Sequence, residues 1–101
     1  MLIFNTTYLV SDKSYGIWYK WLNEQHLPSM LESGFFSKPQ VAKVLTNEPQ
    51  EGTSYSVQFQ IADMKSLELW NETYGESFLS SFSKQFGEDV LLFSTILELM
   101  Q

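Results

Sequence analysis

Between Thr53 and Ile61 apolar and polar side chains alternate without a fault. Tyr55, Val57, Phe59 and Ile61 fall on one side, Ser54, Ser56, Gln58 and Gln60 on the other. A period of two, with aromatic and β-branched residues on one side, predicts a strand with one buried face. The stretch from Leu2 to Val10 repeats the pattern, setting Leu2, Phe4, Thr6, Tyr8 and Val10 against Asn5 and Thr7. Two further strands are predicted over Lys38 to Thr46 and Val90 to Met100. Pro39, which cannot donate to a ladder, suits an edge position, and the cluster Asn47 to Gly52 reads as a turn. The last strand is largely apolar on both sides: Leu91, Phe93, Leu97 and Leu99 oppose Val90, Leu92 and Ile96. Neither side of it suits water.

Elsewhere the period lengthens to that of a helix. Ile17, Trp18, Trp21 and Leu22 recur at the spacing of a buried stripe, behind a cap at Ser11 or Asp12. Pro28 disfavours helical geometry at Leu27, so a break is expected at His26-Leu27-Pro28. A short helix then restarts with Pro28 in its first turn and ends at Gly34. Asp63 can cap a second helix running to Phe86 and stopping at Gly87. Its predicted inner stripe is Leu67, Trp70, Tyr74, Phe78, Phe82 and Phe86. Steps of four drift around a helix of 3.6 residues per turn, and a bend near Gly75 would correct the drift.

The resulting order, β-α-β-β-α-β, fits one domain over residues 1–101. It predicts an α+β, ferredoxin-like fold: a four-stranded antiparallel sheet with two helices on one face. A chain of 101 residues has a thin core for its 16% of aromatic residues. Pairing two sheets face to face would cover the second sheet surface, so a homodimer is expected. Asn5, Thr7, Ser56 and Gln58, on the face away from the helices, are its candidate interface.

Charge and composition narrow the chemistry. Twelve acids face six lysines and no arginine, a net charge of -6. That balance repels phosphate backbones and anionic membrane surfaces, so neither nucleic acid nor membrane is an expected partner. The absence of cysteine removes thiol catalysis and zinc–thiolate sites. One histidine among dispersed acids makes no metal set, and no glycine-rich loop cradles a phosphate. No cofactor is called for. The N-terminus lacks the basic region of a signal peptide, and no apolar run reaches bilayer length; the expected location is the cytoplasm.

His26 is the one side chain that ordinarily titrates near neutrality, and it is the candidate proton-transfer group. The competing reading is structural, with its nitrogens pairing backbone groups freed by the helix break. Tyr8, Trp18, Trp21 and Trp70 are candidates to line a pocket for a planar, mostly apolar ligand between the first helix and the sheet; their periodicity also suits a plain core.

Several stretches carry a family resemblance: the first strand with Asn5 and Thr7, WYKWLNEQHLP, GFF at 34–36, KVL at 43–45, TSYSVQF at 53–59 and QFGEDVLLFST at 85–95. Together they resemble a small bacterial family known only as a domain of unknown function, within the dimeric α+β barrel superfamily. The match spans essentially the whole chain and departs at Ser94, where family members carry an arginine. The resemblance implies a ferredoxin-like protomer, a homodimer and no assigned activity. More distant superfamily members include cofactor-free monooxygenases, lactone isomerases and heme-handling enzymes that hold ligands between helices and sheet. By that analogy the chain could be a cofactor-free oxygenase or isomerase using His26, or a structural dimer without a pocket.

Overall fold

The computed structural model describes residues 1–46 and 51–100. Four strands, β1 (Leu2–Val10), β2 (Phe36–Lys43), β3 (Thr53–Ile61) and β4 (Val90–Glu98), form one sheet in the order β2-β3-β1-β4. Every neighbouring pair is antiparallel. Two long helices, α1 (residues 12–32) and α2 (residues 64–86), connect β1 to β2 and β3 to β4. Both lie on the same side of the sheet, because Trp18 of α1 and Phe82 of α2 meet the same ring, Tyr8 of β1. This is the ferredoxin-like arrangement that the alternation predicts.

The register explains the two faces. Thr6, Tyr8 and Val10 of β1 and Val57, Phe59 and Ile61 of β3 point under the helices and are buried. Asn5 stands opposite Gln58 and Thr7 opposite Ser56, so all four share the face away from the helices. On that face β4 adds Phe93 beside Thr7 and Leu97 beside Ile3.

Several expectations about the elements need correction. The first helix does not break at Pro28. Leu27 keeps helical angles (φ -59, ψ -48) and donates its N–H to Leu22, five residues back. The turn Leu22–His26 is thus a π-helical turn, followed at once by the α-helical turns of Leu27–Glu32. In a regular α-helix Pro28 would press its ring on the carbonyl of Glu24; the wider turn relieves that clash and the chain continues. Ile17 lies outside the buried stripe and is 62% exposed. Ser11 stands at the helix start without a side-chain capping bond, and the first turn there is a tight 3₁₀ turn, Asp12–Ser14.

A second π-helical turn, Asn71–Gly75, takes the place of the expected bend in α2. Its extra residue swings Tyr74 outward, to 47% exposure, and sets Gly75 inside between Trp70 and Phe78. The drift of four-residue steps is corrected by this insertion. Asp63 caps α2 as expected, accepting a bond from the Ser66 N–H at 2.8 Å. Gly34 and Gly87 follow the two helix ends with φ of 83° and 55°, values that suit glycine.

The strands differ from expectation only at their ends. β2 is an edge strand that starts at Phe36 and stops at Lys43, and Pro39 sits in a bulge between Ser37 and Gln40, beside Lys38 at φ 50°. β4, the other edge, stops at Glu98. Most of the turn expected over Asn47 to Gly52 lies outside the described residues.

Candidate functional site

The core is a continuous set of rings. Tyr8 and Trp18 are shut off from solvent, their centroids 5.4 Å apart, and Trp18 stacks on Tyr55 at 4.9 Å. Trp21 meets Phe82 and Phe86 edge-on. Burial pushes the Tyr8 phenol above its usual range, so it stays neutral. Its Oη and the Trp18 Nε1 are both enclosed without a hydrogen-bond partner among the described residues. Tyr8 and Trp18 line neither of the two hollows described next.

The first hollow is an apolar crevice of about 410 Å³ between α2 and the β1–β4 side of the sheet. Leu67, Phe78 and Leu79 roof it, and Phe4, Leu92 and Ile96 floor it. The polar residues along it are Glu68 and Asn71 from α2 and Ser94 from β4. Ser94 Oγ is hydrogen-bonded to the buried Thr6 Oγ1 at 3.1 Å, so the hydroxyl on this otherwise oily floor has a fixed partner. Gly75 belongs to this lining, and a β-carbon there would run into the Asn71 side chain. The second π-turn therefore does two things at once: it removes a side chain from the crevice wall and brings the Asn71 carboxamide against it. Such turns occur often at functional sites.

A smaller cavity of about 270 Å³ lies between α1 and α2, with His26, Met30, Trp70 and Phe78 on its wall and Glu32 and Tyr74 among its polar residues. His26 is the last residue of the first π-turn and is buried. Its ring stacks on Trp21 at 4.7 Å with 13° between the planes, and the Phe78 ring lies 5.2 Å away on a tilt. Neither ring nitrogen has a hydrogen-bond partner among the described residues, and neither is one of the fully enclosed orphan atoms. The nitrogens do not cap a helix break, because there is none. Desolvation lowers the His26 pKa to about 4, so the imidazole is neutral over the physiological range.

Of the four aromatic residues expected to line a ligand pocket, Trp70 does so twice, standing in the wall of both hollows. Trp21 backs the His26 ring. The crevice itself lies under α2, whereas the expected ligand position was under α1. Leu92 and Ile96 went unnoticed as site residues, and Ser94 stood out only as a departure from the family pattern; the other hint was that β4 is largely apolar on both sides.

On the open face of the sheet, Ser56 Oγ donates to Asn5 Oδ1, Gln58 Nε2 donates to Ser56 Oγ at 3.4 Å, and Asn5 Nδ2 donates to Thr7 Oγ1 at 3.3 Å. The four expected interface residues thus form one polar seam. Beside it Leu91 and Phe93 are 56% and 64% exposed. Among the described residues no group of three acids or histidines could hold a metal ion, and no helix is long and apolar enough to cross a membrane.

Sheet order, helix placement and crevice define a ferredoxin-like α+β protein. The chain belongs to the family described as a domain of unknown function (DUF4286), whose model matches residues 1–100. No curated protein matches it. Solved structures share the fold at low identity. HapK from Hahella chejuensis is 13% identical with a TM-score of 0.70, over 99% of this chain and 93% of its own. A protein from Deinococcus radiodurans, put forward as an antibiotic biosynthesis monooxygenase, is 16% identical with a TM-score of 0.69, over 100% and 94%. A dimeric ferredoxin-like protein from an uncultured marine organism is 15% identical with a TM-score of 0.66, over 99% and 94%.

Proposed function

We propose that the chain works as a homodimer that holds a small, mostly apolar molecule in the crevice under α2. The observation that carries the reading is the crevice itself: a volume of about 410 Å³, apolar on roof and floor, with a few polar groups at hand to orient an occupant. Hollows of this size and lining suit small organic ligands. The Ser94 hydroxyl, itself bonded to Thr6, would fix one polar atom of the ligand, while Leu67, Phe78 and Ile96 take its apolar body. The test is binding of the neutral fluorophore N-phenyl-1-naphthylamine. Ser94→Trp fills the crevice from an exposed strand position and is expected to weaken binding tenfold or more with little loss of stability. Equal binding by both proteins overturns the reading.

The dimer half of the proposal rests on the open sheet face, where a polar seam runs beside exposed apolar side chains of β4. Water-exposed Leu91, Phe93 and Leu97 on one sheet are an unstable arrangement for a monomer, and a second sheet would cover them. Sedimentation of the intact protein at micromolar concentration is expected to show a dimer, and Phe93→Lys, on the face away from the helices, a folded monomer. A monomeric parent protein ends the proposal.

A cofactor-free oxygenase or isomerase is the second reading, with His26 as proton-transfer group. The placement of a neutral, accessible imidazole on a cavity wall speaks for it. Against it stand a pKa near 4, which makes a feeble base at neutral pH, and the lack of a carboxylate bonded to the ring among the described residues.

A further inference from the structure

We propose that the cavity between α1 and α2 is a separate binding site for a small uncharged hydroxyaromatic molecule of the phenol class, with the His26 imidazole as its hydrogen-bonding partner. The site is independent of the crevice: Ser94, Leu92 and Ile96 line the crevice alone, His26 and Met30 the cavity alone, and Trp70 and Phe78 form the partition between them.

The size comes first. A cavity of about 150 Å³ suffices to take up a benzene ring, and this one measures about 270 Å³. The inner wall supplies the aromatic preference. Trp70, Phe78 and the His26 ring present π faces and edges, and aromatic pairs gain beyond their buried area. The requirement for a hydroxyl comes from the imidazole. His26 is buried, stacked on Trp21 with Phe78 tilted beside it, and has no protein hydrogen bond among the described residues. A neutral imidazole presents one N–H donor and one bare nitrogen acceptor. A hydroxyl can serve either, so it satisfies the ring whichever nitrogen faces the cavity. A ligand hydroxyl that pairs with the ring inside the cavity trades a contact with water for a hydrogen bond sheltered by the surrounding rings, and binding gains accordingly.

An anionic form of the ligand is disfavoured. Glu32 stands in the lining and the chain carries a net charge of -6, which opposes an anion. An uncharged phenol meets every one of these conditions; toluene, of nearly the same shape, meets all but the hydrogen bond.

Phenol and toluene are therefore the probes. In the ¹⁵N-labelled parent protein, phenol is expected to shift a His26 ring-nitrogen resonance saturably and to bind about tenfold more tightly than toluene, the worth of a good hydrogen bond. His26→Phe keeps a ring on Trp21 and is expected to abolish the preference, leaving the two probes equal. Ser94→Trp, which closes only the crevice, is expected to leave phenol binding within twofold. An unmoved His26 resonance at saturating phenol, or equal affinity for both probes in the parent protein, overturns the proposal, and neither measurement depends on a variant folding. Loss of phenol binding in Ser94→Trp also overturns it, by placing the phenol in the crevice; retention there, with naphthylamine binding lost, separates the two sites.

Discussion

Under α1, Tyr8, Trp18 and Leu22 are shut off from water altogether, whereas under α2 the side chains of Ser94 and Ile96 on β4 remain within its reach. The two regions share one sheet face and one strand, β1, and both receive an apolar helix stripe. They differ in what the stripe delivers. α1 brings two tryptophans within two turns, and each finds a ring on the sheet or on α2. α2 brings Gly75 to the crevice lining, a residue with no side chain to send down. One side closes because its large residues meet; the other keeps a crevice whose wall includes a glycine. Core density and ligand space are thus local outcomes of the same packing rule.

Opening the sealed side is expected to cost most. Trp18→Ala removes the largest fully buried side chain and should lower stability by about 3–5 kcal/mol. That is a large share of the roughly 5–15 kcal/mol of an ordinary domain. Chemical denaturation followed by far-UV circular dichroism measures it. A loss below about 1 kcal/mol would show that the seal is not tight.

The seam between the regions is His26, and its effect depends on pH. Its pKa is near 4 in the folded protein against 6.5 when free, so between those values the unfolded chain binds the extra proton. Stability is therefore complete above about pH 6.5 and falls as pH drops toward 4, by up to roughly 3 kcal/mol from this group. Urea midpoints taken from pH 7 to pH 4 should show the fall, and His26→Phe should flatten that part of the profile. An unchanged profile in the variant would mean that His26 is solvated.

The smallest expected effect sharpens the contrast from inside the seal. Tyr8 Oη is enclosed without a partner, so Tyr8→Phe removes an unsatisfied group while keeping the ring. The variant should match the parent protein or exceed it by about 1 kcal/mol in thermal or denaturant unfolding. A clear loss would reveal a hydrogen bond to water at that site.

Much of this contrast is invisible along the chain. The alternation of Tyr55, Val57, Phe59 and Ile61 names a strand and its inner face, and the register then places Asn5, Thr7, Ser56 and Gln58 together without further help. Pro28 was misleading, because a π-turn absorbs what a regular helix cannot. Tyr74 was misleading too: one inserted residue exchanges it for Gly75 on the inner stripe. Both errors come from counting residues at a constant 3.6 per turn, when two turns of this protein hold more.

Hydrophobic period by itself determined the order β-α-β-β-α-β, the inner face of β1 and β3, and the polar residues on their outer face. It can do so because side-chain direction within an element repeats with backbone geometry. Tertiary structure alone decided that the crevice lies under α2, that Ser94 lines it while bonded to Thr6, and that His26 stacks on Trp21 beside a second cavity. Those outcomes depend on the separation between elements and on which side chains meet across it, and the period of a single element carries no information about either.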